Sequence, residues 1–78
     1  MASDTYIVRL LRANEHATLK HILDKPTAIQ YAQQHLDGAD CVEVYRIGTT
    51  NTREAMATVQ AGRAELIASY GKKLKRSR

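Results

Sequence analysis

With 78 residues, 44% of them hydrophobic and 26% charged, the chain has the composition of one small globular domain and not of a disordered segment. A domain of this size buries only about 60–65% of its unfolded surface, which leaves no room for a deep, enclosed active site. The formal net charge of +4 is unevenly placed: Lys72, Lys73, Lys75, Arg76 and Arg78 crowd the last seven residues, while the seven basic residues before them face all eight acidic ones. The basic character therefore belongs to a tail, and the folded body is close to neutral.

Met1 to Thr5 is short and polar, carries no targeting signal and reads as a frayed terminus. Tyr6–Ala13 and Ala17–Leu23 are rich in Ile, Val, Leu and Thr, with Asn14, Glu15 and His16 suited to a tight turn between them. This predicts a β-hairpin. Two-residue alternation puts Tyr6, Val8 and Leu10 on one face of the first strand, the expected core, and Ile7, Arg9 and Leu11 on the other. Asp24, Lys25 and Pro26 mark a helix start, since Asp caps the first turn and Pro needs no N–H there; Gly38 marks its end. Ile29, Ala32 and Leu36 form its expected buried stripe.

Cys41–Ile47 predicts a third strand, with Val42 and Val44 on one face and Glu43 and Tyr45 on the other. Asn51, with Glu54 three residues later, has the form of a capping box, and Met56, Val59, Leu66, Ile67 and Tyr70 recur at helical spacing. The spacing predicts one long helix up to Tyr70, capped by Gly71. The expected fold is therefore α+β: a three-stranded, mainly antiparallel sheet with two helices, in the order strand, strand, helix, strand, helix. Residues 1–71 form one domain and 72–78 its basic C-terminal tail.

The candidate chemistry is sparse. His16, His21 and His35 match no zinc spacing, and one cysteine, Cys41, supplies neither a disulfide nor a Cys pair. Cys41 at the start of an apolar strand reads as a small buried group and not as an activated nucleophile. There is no nucleophile elbow or Gly-rich phosphate loop, and the carboxylates are scattered. These patterns point away from an enzyme, a metal site or a cofactor. The absence of a long apolar run and the single cysteine fit a cytoplasmic protein without a membrane span.

The outer sheet face is more informative. Ile7, Arg9 and Leu11, with Thr18, Lys20 and Ile22 and with Glu43 and Tyr45, are expected to make a mixed charged and apolar surface. Either the second helix covers it or a partner does. One aromatic, Tyr45, is too few for an RNA-stacking platform. The Ala55, Ala57, Ala61, Gly62, Ala64 and Ala68 series keeps the second helix slim, as high helix propensity alone requires and as a homodimer contact would also use.

The strand, strand, helix, strand order, carried by TYIVRLL at Thr5–Leu11 and by AIQYAQQHL leading into CVEVYRI within Thr27–Ile47, resembles small phage and mobile-element proteins, among them some type I anti-CRISPR inhibitors. The likeness covers about half the chain and lies in pattern, so no functional residue transfers. It implies a compact inhibitor that blocks a host nucleoprotein complex by occupying a protein surface. The residues themselves point to a non-catalytic protein-binding module with Arg9, Lys20, Tyr45 and Arg46 as contact residues, Tyr and Arg being favoured at interface hot spots. The alternatives are a nucleic-acid-binding accessory protein acting through Lys72, Lys73, Lys75, Arg76 and Arg78, and a structural homodimer subunit.

Overall fold

Alternating apolar residues give Thr5–Leu11 two faces, and both turn out to be covered at one end of the strand. In the computed structural model, which describes residues 4–13 and 15–71, this strand (β1) is followed by β2 (Thr18–Ile22), α1 (Lys25–Gln34), a 3-10 turn (Leu36–Gly38), β3 (Cys41–Ile47), α2 (Thr52–Gln60) and β4 (Glu65–Gly71). The sheet has four strands in the order β2-β1-β3-β4, and every neighbouring pair is antiparallel. The α+β class and the hairpin agree with the sequence reading. The strand count and element order do not, because the long second helix stops halfway.

The reason lies at Gly62. Its φ of 75° is in the left-handed region, which glycine enters without the penalty a Cβ brings. The Arg63 N–H donates to the Thr58 carbonyl and the Gly62 N–H to the Val59 carbonyl, the paired bonds of a Schellman motif. Gly62, not Gly71, is thus the helix stop. Beyond it, Leu66, Ile67 and Tyr70 lie in a strand: Tyr70 pairs with Val42, Ala68 with Val44 and Leu66 with Tyr45. The register slips between Val44 and Tyr45, so Ile67 and Ala68 both reach the same core.

Each helix starts where its side chains predict. Asp24 accepts from the Thr27 N–H at 3.1 Å and the Thr27 hydroxyl at 2.8 Å; Asn51 accepts from the Glu54 N–H at 3.0 Å. The Asn51 box closes indirectly, because its own N–H donates to the Thr49 hydroxyl, which in turn donates to Glu54. Helix α1 ends at Gln34, and the 3-10 turn carries the chain on to Gly38. Its buried residues are Ala28 and Ala32, with Ile29, Tyr31 and Leu36 packed beside them. The core face of α1 is thus wider than the predicted stripe.

The two helices lie on opposite faces. Helix α1 covers Val8, Leu10, Ile22, Val42 and Val44, with Tyr6, Ile67, Ala68 and Tyr70 at the margin. Helix α2 sets Ala55 and Val59 against Ile7 and Ile47, with Leu19, Tyr45, Met56 and Ala64 around them. Thr5, expected in a frayed terminus, opens β1 and is 2% exposed. Its hydroxyl donates to the Thr49 carbonyl, so it must accept from His21 Nε2 at 2.8 Å, and in the neutral ring Nδ1 accepts from Thr52 at 2.8 Å. One imidazole thereby ties β2, β1 and the start of α2 together.

Replacing Gly62 with alanine tests the helix stop. An added Cβ meets no atom within 4 Å, so the cost is that of the left-handed backbone alone, about 1 kcal/mol. Urea unfolding should show a lower midpoint with an unchanged slope; an unchanged midpoint would mean that Gly62 does not end the helix.

Candidate functional site

Among the described residues, the face of the sheet opposite α1 is only partly covered. Helix α2 leaves β3 at Ile47 and returns the chain to β4 at Glu65, beside Arg46. Its ends are therefore at the same end of the sheet, and it packs over Ile7, Ile47 and Leu19. The other end of this outer face keeps Arg9, Glu43 and Ser69, which are side by side across β1, β3 and β4. The expectation that either a helix or a partner meets this face resolves spatially: the helix takes one end and leaves the other.

At the uncovered end Glu43 organises its neighbours. Its Oε1 accepts from Arg9 Nε at 3.0 Å, from Arg9 Nη2 at 2.7 Å and from the Tyr45 hydroxyl at 2.7 Å. The Arg9 guanidinium carbon also lies 5.5 Å from the centre of the Tyr45 ring, within range of a cation–π contact. Side-chain exposure of 30% for Arg9 and 18% for Glu43 leaves this ion pair partly in water. Such pairs add about 1 kcal/mol or less to stability, so the main effect is to hold two hot-spot residue types in one orientation. Leu66, 50% exposed, flanks Tyr45 on β4.

The four residues singled out from sequence separate. Arg9 and Tyr45 come together as expected. Lys20 does not join them, because the register pairs it with Val8 and so turns it to the α1 side. Thr18 and Ile22 go with it, paired with Leu10 and Tyr6, and the outer face receives Leu19 and His21 instead, opposite Arg9 and Ile7. The alternation within β2 was visible; its phase depends on the hairpin register, which the turn decides. Arg46 pairs with Tyr6 across β1 and also belongs to the α1 side. Its Nη2 lies 2.6 Å from Glu65 and its Nη1 3.9 Å from Asp4. Glu43, assigned to the outer face but not among the four contact residues, is the residue that links Arg9 to Tyr45. Its place two residues before Tyr45, on the same face of the strand, was the available signal.

Other features take lesser roles. His16 is exposed, and His35 stacks on Tyr31 with ring centres 4.1 Å apart. Cys41 is a free thiol at the start of β3, partly buried. Among the described residues no three His, Cys, Asp or Glu groups gather as a metal ion needs, and no helix is long and apolar enough to cross a membrane. An open depression of about 400 Å³ is lined by Arg12, Glu15, Asp37, Gly38 and Asp40. Arg12 is engaged there with the Gly38 carbonyl at 2.7 Å, and Asp40 with the Ala13 N–H at 2.8 Å. Lys72, Lys73, Lys75, Arg76 and Arg78 lie outside the described residues.

Burial at the sheet face, reinforced by the hydrogen bond to Glu43 and by its charge, raises the Tyr45 phenol above the ordinary tyrosine value. A raised folded-state value means that the folded chain holds this proton more tightly than the unfolded one. The associated stability is complete below the unfolded tyrosine value and is lost as pH rises through the folded one. In Glu43→Gln, ultraviolet titration should move the Tyr45 transition downward, and the alkaline loss of stability should be smaller and complete at lower pH; an unmoved transition would break the assigned coupling. No family model, curated protein or solved structure matches the chain, so the functional reading rests on this geometry.

Proposed function

We propose that the chain is a small non-catalytic module, acting in the cytoplasm, that binds a protein through the uncovered half of its outer sheet face. The observation that carries this reading is the Arg9–Glu43–Tyr45 group, fixed by three hydrogen bonds to one carboxylate oxygen on a sheet face that α2 leaves open. A tyrosine and an arginine already locked in place lose little side-chain entropy on binding. Leu66 adds an exposed apolar contact next to them. Lys20 and Arg46 stand on the α1 side and are not part of this surface.

Charge placement favours a protein partner over a nucleic acid for the folded body. Arg9, Arg12 and Arg46 each sit with a carboxylate, which offsets the charge a phosphate backbone would need. Tyr6, Tyr31 and Tyr70 pack on the α1 side, leaving Tyr45 as the tyrosine of the outer face. Within the class of binders, the resemblance to phage inhibitors makes a host nucleoprotein complex, including a CRISPR-type effector, the first partner to test. A nucleic-acid role would fall to the basic tail.

The test is affinity capture from host lysate with the full chain, with Arg9→Ala/Tyr45→Ala and with a truncation ending at Gly71, each with and without nuclease. Capture of the same protein by the full chain and the truncation, insensitive to nuclease and reduced at least roughly tenfold by the double substitution, is the expected result. Capture lost with the tail or with nuclease would move the function to nucleic-acid binding. Capture unaffected by the double substitution would overturn the site.

A further inference from the structure

We infer that the open half of the outer face receives helix α2 of a second copy of this chain, forming a two-fold pair. This inference rests on the reading of that half-face as a protein-binding surface and names its occupant.

The shape of the face motivates it. Helix α2 stands on one end of the sheet as a ledge about one helix diameter high, roughly 10 Å, and among the described residues no helix lies over the Arg9–Glu43–Ser69 end beside it. A ledge covering half of a flat surface is complementary to itself under a two-fold rotation. Each α2 then rests on its own sheet and on the bare half of its partner's, with the two helices side by side in one layer. The contact is isologous and closed, so it stops at a dimer.

The side chains suit that arrangement. Ala55 and Val59 face the chain's own sheet, so the helical period turns Arg53, Ala57 and Gln60 outward, and all three are exposed. The small Ala57 permits close approach to a sheet. Arg53 and Glu54 bring one charge of each sign, and the bare half offers Glu43 and Arg9, again one of each. The sheet edges are less suited to self-association. Strand β2 has only five residues with exposed Lys20 at its centre, and β4 carries a register shift, both devices that blunt edge-to-edge pairing.

For a contact no larger than a standard interface, roughly 800 Å² per partner, association in about the micromolar range is expected. Sedimentation equilibrium of the full chain should show an 8.7 kDa monomer passing to a dimer across roughly 1–200 µM. Ala57→Glu, on the outer side of α2, and Ser69→Arg, on the bare half, should each weaken the dimer at least tenfold while circular dichroism shows both folded. Mixed in equal amounts the two variants should dimerise again, because the mixed pair has one unaltered contact and one with Glu against Arg. A monomer at every concentration, a dimer indifferent to both substitutions, or a mixture that stays monomeric would overturn the inference. A monomer that still captures a protein through Arg9 and Tyr45 would leave the binding-module reading standing; a complementing dimer without such capture would remove the foreign partner and keep the second copy.

Discussion

Where a connecting helix must begin and end decides how much of the sheet it covers. Strand β2 ends at Ile22, beside Tyr6, while β3 starts at Cys41, beside Leu11. These points are at opposite ends of the sheet, so the segment that holds α1 has to traverse the whole face. It touches all four strands on the way. Strands β3 and β4 are antiparallel neighbours, and the segment between them leaves and rejoins the sheet at one end. A hairpin connection imposes no traverse, and α2, at nine residues, covers only the end from which it springs. Among the described residues, one face is closed and the other is half open for this topological reason.

The half-open face also accounts for the division of polar residues. Near α2 the polar groups are tied down around the buried Thr5: Thr5, His21, Thr49 and Thr52 satisfy one another in a chain of hydrogen bonds. Among the described residues no buried side-chain polar atom lacks a partner. Beyond the helix, Arg9 and Glu43 do the same, with Tyr45 at its margin, while remaining partly in water. The first group stabilises because it satisfies the buried Thr5 hydroxyl; the second adds little stability and presents fixed chemistry outward. That difference in surroundings, not residue type, separates the structural polar groups from those proposed to bind.

Much of the local architecture was legible because it depends on neighbours in sequence. Asp24 and Asn51 cap helices wherever a helix follows, and Cys41–Ile47 alternates as a strand in any sheet. The Arg9–Tyr45 pairing was legible only in part. Both residues were assigned to the outer face, but Glu43, which joins them, gained its meaning from the β1–β3 register. Glu65–Gly71 was misread because a short run of Leu, Ile, Ala and Tyr fits a helix face and a strand equally well. Gly62 could have broken the tie, had it been weighed as a helix stop and not as one more small residue.

The sequence by itself determined the α+β class, three of the four strands, both helix starts and the neutrality of the body before its basic tail. Those follow from period, capping chemistry and composition, all of which act over a few residues. Tertiary structure alone decided the fourth strand, the phase of β2 that sends Lys20 to one face and Leu19 and His21 to the other, and the extent to which α2 covers the sheet. Each of these depends on which strand lies beside which and in what register. Register is a relation between residues tens of positions apart, settled by packing both faces at once.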